Sequence, residues 1–190
     1  MDFSVLKIKV SLSPFFFAVL TSVLIFDKTG ISGFAVLFSL LHETGHILAL
    51  LYKKIKPKAF SVTVFGIHIK LPENLSTAEK CFVLMSGFAV NYILAALFFI
   101  FNKPVFGYIN LLIGIFTSLP LASTDGGEIL KALLEEFLAQ GGERIFGIIS
   151  GIFSLVFSLL LILIFVSTRN FFILFAVFYM IFCTIKRAAK

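Results

Sequence analysis

The chain has 190 residues, 59% of them hydrophobic and 14% charged, with a mean hydropathy of +1.08. Soluble domains average roughly 45–50% apolar residues, so this composition excludes a soluble enzyme and places the chain in a lipid bilayer. The net charge of +6 does not imply a nucleic-acid partner, because the basic residues stand at the ends of apolar runs and not on an amphipathic or aromatic-interleaved surface.

Lys7 and Lys9 precede an apolar run, Val10–Phe26. No Ala-x-Ala-like cleavage site follows, so the run is expected to be a first membrane helix and not a removable signal. Further runs long enough to span, or nearly so, are Ile31–Tyr52, Cys81–Phe101, Val105–Leu121, Ile145–Val166 and Phe171–Ile185. The expected fold class is therefore an all-α polytopic membrane protein of about six transmembrane helices, forming one membrane-embedded domain over residues 1–190.

Thirteen of the sixteen Lys and Arg residues fall on one side of this arrangement; only Lys28, Lys103 and Arg169 fall on the other. By the positive-inside rule the first side, with both termini, is cytoplasmic. Cys81 and Cys183 fall near that face and are expected to be reduced thiols.

The second run contains His42-Glu-Thr-Gly-His46. Residues four apart share a helix face, so both imidazoles can reach one Zn²⁺, while the carboxylate of Glu43 stands one position on, beside the metal and not on it. An ionisable group inside a spanning helix costs a few kcal/mol on insertion scales and marks function. The alternative is a polar cluster that bonds neighbouring helices, which needs no such spacing.

Between the second and third runs, Phe60–Leu71 alternates with period two on either side of Gly66, which predicts a short cytoplasmic β-hairpin. One edge of it could accept an extended substrate as an added strand. His68 lies there and ranks below Asp125 as a metal ligand.

Asp125 closes the stretch Ser118-Leu-Pro-Leu-Ala-Ser-Thr-Asp125 at the cytoplasmic end of the fourth run. A catalytic zinc takes three protein ligands and keeps one position open, and Asp125 is the best third candidate. Equally, Asp125 could be a helix N-cap, with Glu128 at the capping-box position. Downstream, Gly126–Ala139 spaces Ile129, Leu130, Leu133, Leu134 and Phe137 as an amphipathic helix for the membrane interface. In the fifth run, Gly147, Gly151, Ser154 and Ser158 recur at helical spacing, as in close helix packing.

Three blocks together resemble the site-2 protease family of intramembrane zinc metalloproteases, in particular its small six-span bacterial kind, the type that processes a sporulation pro-sigma factor. They are His42-Glu-Thr-Gly-His46, Ser86-Gly-Phe-Ala-Val-Asn91 and Leu119-Pro-Leu-Ala-Ser-Thr-Asp-Gly-Gly127. They cover a catalytic core of about residues 31–130.

The resemblance implies one Zn²⁺ per chain held by His42, His46 and Asp125, with Glu43 as catalytic base. It implies cleavage of a peptide bond within or near the transmembrane segment of a membrane-protein substrate, in a bacterial cell membrane. Asn91 is a substrate or oxyanion donor under the resemblance, or an interhelical hydrogen-bonding group. Thr117 stands where the family has an Asn, and a hydroxyl cannot offer an amide's donors and acceptor together. Phe88 replaces a frequent Pro. The PDZ and nucleotide-binding domains common in the family are not expected here. Two readings from other classes are a catalytically idle membrane protein that sequesters a partner and, ranked lower, a metal transporter.

Overall fold

A computed structural model describes residues 2–5, 8–12, 21, 25, 27, 29–63, 66–72, 74–138, 140–169, 177, 178 and 181. Among these the chain is mostly helical, with strands β1 (Asp2–Val5), β2 (Ile8–Leu12), β3 (Ala59–Thr63) and β4 (Gly66–Lys70). The helices are α1 (Ile31–Tyr52), α2 (Thr77–Ile100), α3 (Pro104–Ser118), α4 (Asp125–Phe137) and α5 (Gly142–Thr168). The chain divides into two compact units, Met1–Ile115 and Phe116–Lys190.

Three helices, α1, α2 and α5, are long and apolar enough to cross a membrane. With this composition they make the chain an integral membrane protein. The 15-residue α3 is about 22 Å long at 1.5 Å per residue, short of a hydrocarbon core of about 30 Å. It ends at Ser118, before Pro120, and not at Leu121 as the apolar run suggested. The expected first and last spans fall largely outside the described residues, so six spans reduce here to three long apolar helices and one short one.

Beside the helices the described residues hold four strands, two more than the expected hairpin supplies. In the first unit they form one four-stranded sheet in the order β1-β2-β3-β4. β1 and β2 pair antiparallel, β2 and β3 parallel, and β3 and β4 antiparallel with Ser61 opposite His68. Val10–Leu12, expected to open a membrane helix, is instead the end of β2, with Val10 opposite Phe60. β3 is consequently an interior strand, and among the described residues β1 and β4 are the edge strands.

α1 and α2 pack closely because glycine removes the obstacle. A Cβ on Gly45 would come to 2.5 Å from the Ser86 carbonyl oxygen and 2.9 Å from Val90 Cγ2. Below that contact Ala49, Leu50 and Val83 form a buried core, extended by Ile55, Ile69 and Leu71. Above it Phe34, Phe38, Phe98 and Phe106 stack with centroids 4.6–6.3 Å apart, joining α1, α2 and α3. α2 is started by a capping box: the Ser76 hydroxyl accepts from the Glu79 N–H, and the Glu79 carboxylate accepts from the Ser76 N–H.

In the second unit α4 runs against α5, linked by Lys131 to Glu143 at 3.2 Å. Gly142 admits the start of α5, since a Cβ there would come to 2.5 Å from the Leu134 carbonyl. The buried stripe of α5 is Phe146, Ser150, Ser154 and Ser158. Gly147 and Gly151, expected at a close helix contact, meet no atom of the described residues where a Cβ would stand. Two serines were therefore placed correctly, and the glycines lie one position round the helix from the buried face.

Candidate metal centre

The site in the first unit starts from the spacing of two residues. His42 and His46, one turn apart on α1, are each 5% exposed and bring their Nε2 atoms to 3.2 Å. Gly87 of α2 makes room for them. A Cβ there would stand 2.7 Å from His42 Nε2 and would also collide with the His46 ring. Three ring atoms of α1 thus fill the space beside α2 that only a residue without a side chain leaves open.

The opposite edges of both rings are held by hydrogen bonds. His46 Nδ1 lies 2.7 Å from the Val83 carbonyl oxygen. A carbonyl only accepts, so Nδ1 carries the proton and Nε2 of the neutral ring carries a lone pair. His42 Nδ1 lies 2.7 Å from Asn91 Oδ1, which imposes the same tautomer.

Two lone pairs then face each other at 3.2 Å, and a shared cation removes their repulsion. Tetrahedral zinc with Zn–N bonds of about 2.0–2.1 Å sets two imidazole nitrogens about 3.3 Å apart. The donor chemistry, the tautomers and the separation therefore fit a divalent metal. Glu43, next on α1, is half-buried with its Oε2 withdrawn from solvent.

Asn91 is fully buried. Its amide nitrogen donates to Asn110 Oδ1 at 3.2 Å and to the Phe38 carbonyl at 3.4 Å. With Oδ1 on His42 and both N–H groups engaged, it has no donor left for a substrate oxyanion. Of its two expected roles, the structure supports the interhelical hydrogen bond and directs it at a candidate ligand. Asn110, fully buried on α3, was not singled out in the sequence; a lone Asn in an apolar run carries no spacing signal.

In the second unit Asp125 is the first residue of α4. Its expected alternative role as N-cap is corrected by the structure, because Thr124 is the cap. The Thr124 hydroxyl accepts from the Gly127 N–H at 3.3 Å and donates to the Leu119 carbonyl. Gly126 and Gly127 let the preceding turn fold against the helix, since a Cβ on either would run into the carbonyls of Ser118 or Leu121. Asp125 is thus the first helical residue and not the cap, and it is half-buried. Thr117 is half-buried in the last turn of α3, and His68 lies in β4.

No protein-family model and no curated protein matches the chain. Among solved structures it is similar to the site-2 protease from Methanocaldococcus jannaschii, with a TM-score of 0.70 at 17% identity, over 98% of this chain and 94% of that one. At that identity the likeness establishes a shared fold.

Proposed function

We propose that the chain is an intramembrane zinc metalloprotease of the site-2 type, with His42, His46 and Asp125 as ligands and Glu43 as the base. The observation that carries this reading is the pair of Nε2 lone pairs at 3.2 Å, each fixed by an acceptor on the opposite edge of its ring. His42, His46 and Asp125 each offer one donor atom, a ligand set able to hold a metal ion and leave a position open. The shared fold with a site-2 protease supports the same reading.

A bound zinc ion would supply Lewis acidity, bringing the pKa of a coordinated water towards about 7 and polarising the scissile carbonyl. The chain's residues do the rest. His42 and His46 present fixed lone pairs, and Asp125 adds a carboxylate from the start of α4. Glu43 takes the proton of the attacking water and returns it to the leaving amine. Thr117 is assigned to the substrate side, offering a hydroxyl hydrogen bond near the reacting carbonyl.

The substrate is a transmembrane or membrane-associated protein. A helical substrate has its amides tied up in i to i−4 bonds and must unwind before attack. β4, an edge strand of the sheet, is an element on which an extended segment could pair. From the distribution of Lys and Arg, the site and both termini face the cytoplasm.

The test is purified full-length protein with Glu43→Gln and Asp125→Ala alongside, assayed for zinc content, with comparison of membrane proteomes from cells expressing each form. The expected result is zinc in the wild type and in Glu43→Gln, little in Asp125→Ala, and substrate fragments only with the wild type. Fragments that persist with Glu43→Gln would remove catalysis and leave a partner-sequestering protein as the better reading.

A further inference from the structure

We infer that Asn110 and Asn91 form a directional amide relay that fixes which nitrogen of His42 holds its proton. The inference deepens the metal reading above and rests on it for its purpose, though not for its geometry.

A side-chain amide can sit either way round, and its neighbours decide which. The series starts at the Phe106 carbonyl, which only accepts. Asn110 Nδ2 donates to it at 2.9 Å, so Asn110 Oδ1 is turned towards α2. There it receives Asn91 Nδ2 at 3.2 Å, and the Phe38 carbonyl takes the other N–H at 3.4 Å. Asn91 must therefore point Oδ1 at His42 Nδ1, 2.7 Å away, and that nitrogen must be the protonated one. Polarity set by one backbone carbonyl passes through two amides to the ring and leaves the lone pair on Nε2.

His46 needs no relay, because its Nδ1 meets a carbonyl directly. His42 meets an amide, which has a wrong face. If Asn110 offered no acceptor, Asn91 would be held by the longer bond to Phe38 alone. Turning it over would then place an N–H against His42 Nδ1 and select the Nε2–H tautomer, in which the metal-facing nitrogen has no lone pair to give. Both asparagines are fully buried in helices of apolar sequence. Buried polar groups are costly unless fully hydrogen-bonded, and the relay gives this pair a role beyond holding helices together. Asn110 is thus a positioning residue, acting through Asn91.

The experiment is ¹⁵N NMR of histidine-labelled, metal-stripped full-length protein in lipid nanodiscs, with the rings neutral, alongside zinc affinity by chelator competition. Wild type is expected to show His42 as Nδ1–H. Asn110→Leu should populate Nε2–H and raise the zinc dissociation constant about 10–100-fold. Asn110→Asp, whose carboxyl oxygen still accepts from Asn91, should restore both readouts. So should the double variant Asn91→Asp with Asn110→Leu, since a carboxylate presents an acceptor whichever way it turns.

A His42 tautomer unchanged in Asn110→Leu would overturn the relay, as would failure of both restoring variants. A purely structural role would lower stability without moving the tautomer. If the wild type binds no zinc but its tautomer still switches, the relay is supported and the metal reading fails.

Discussion

Asn91 of α2 accepts the Nδ1–H of His42 of α1 at 2.7 Å, in a contact sealed from solvent. A ligand histidine anchored through its second nitrogen keeps its ring plane and its tautomer, and loss of such an anchor typically weakens metal binding 10–100-fold. Asn91→Leu is therefore expected to lower zinc affinity by about that factor, while Asn91→Asp keeps the acceptor and most of the affinity. Chelator competition measures both. A leucine variant that binds zinc as tightly as wild type would show that Asn91 serves packing alone.

Gly87 carries a sharper expectation, because the space its missing Cβ leaves is filled by the two imidazoles. Gly87→Ala is the smallest possible change, and on an exposed helix it would be stabilising by roughly 0.5–1 kcal/mol. Here the methyl must displace the His46 ring or part α1 from α2, so zinc content should fall by more than tenfold while the fold persists. Elemental analysis alongside a thermal melt separates the outcomes. Full zinc occupancy in Gly87→Ala would mean that the ligands sit elsewhere.

What the sequence made legible follows from what spacing can encode. The pair His42 and His46 is a local, one-turn relationship, and its geometry could be read directly. Gly87 and Asn91 came through as part of a recognisable block, although the block did not reveal that Asn91 faces the ring of His42. Asn110 was invisible, since its meaning lies in a partner on another helix. β1 and β2 were missed for a similar reason. Lys7 and Lys9 read as flanks of a membrane run, whereas β2 is defined by pairing with β3, about fifty residues away. Such non-local pairing leaves little trace in local periodicity. On α5 the four-residue period was right, but the buried phase runs through Phe146 and Ser150 and not the glycines.

Asp27 gives a pH-dependent expectation outside the spanning helices. Its carboxylate accepts from the Thr29 hydroxyl, from the Ser32 N–H at 2.6 Å and from the Thr29 N–H at 2.8 Å. Those bonds, the Thr29 hydroxyl first, hold its pKa well below the ordinary value of 3.8. A group depressed in the folded state contributes stability above its unfolded pKa and loses it as the pH falls. The difference in melting temperature between wild type and Asp27→Asn should therefore be constant from pH 7 to 5 and shrink below about 4. A difference that stays constant down to pH 2 would show that the charge of the carboxylate adds nothing to the stability of this turn.

Thr124 links helix capping to the proposed ligand Asp125. Its buried hydroxyl accepts from the Leu121 and Gly127 N–H groups and donates to the Leu119 carbonyl, fixing the turn from which α4 departs. Removing an N-cap hydroxyl costs about 1 kcal/mol, and a buried group left unsatisfied costs about 1–3 kcal/mol. Thr124→Val preserves shape and deletes every bond of the hydroxyl, so it should lower stability by about 2 kcal/mol and loosen the position of Asp125. Thr124→Ser keeps the hydroxyl and should remain close to wild type in both stability and zinc retention. Denaturant unfolding in mixed micelles with zinc analysis on the same samples tests the link. If Thr124→Val loses stability but retains zinc at the wild-type level, the cap supports the helix without setting the ligand, and Asp125 is not held by the turn before it.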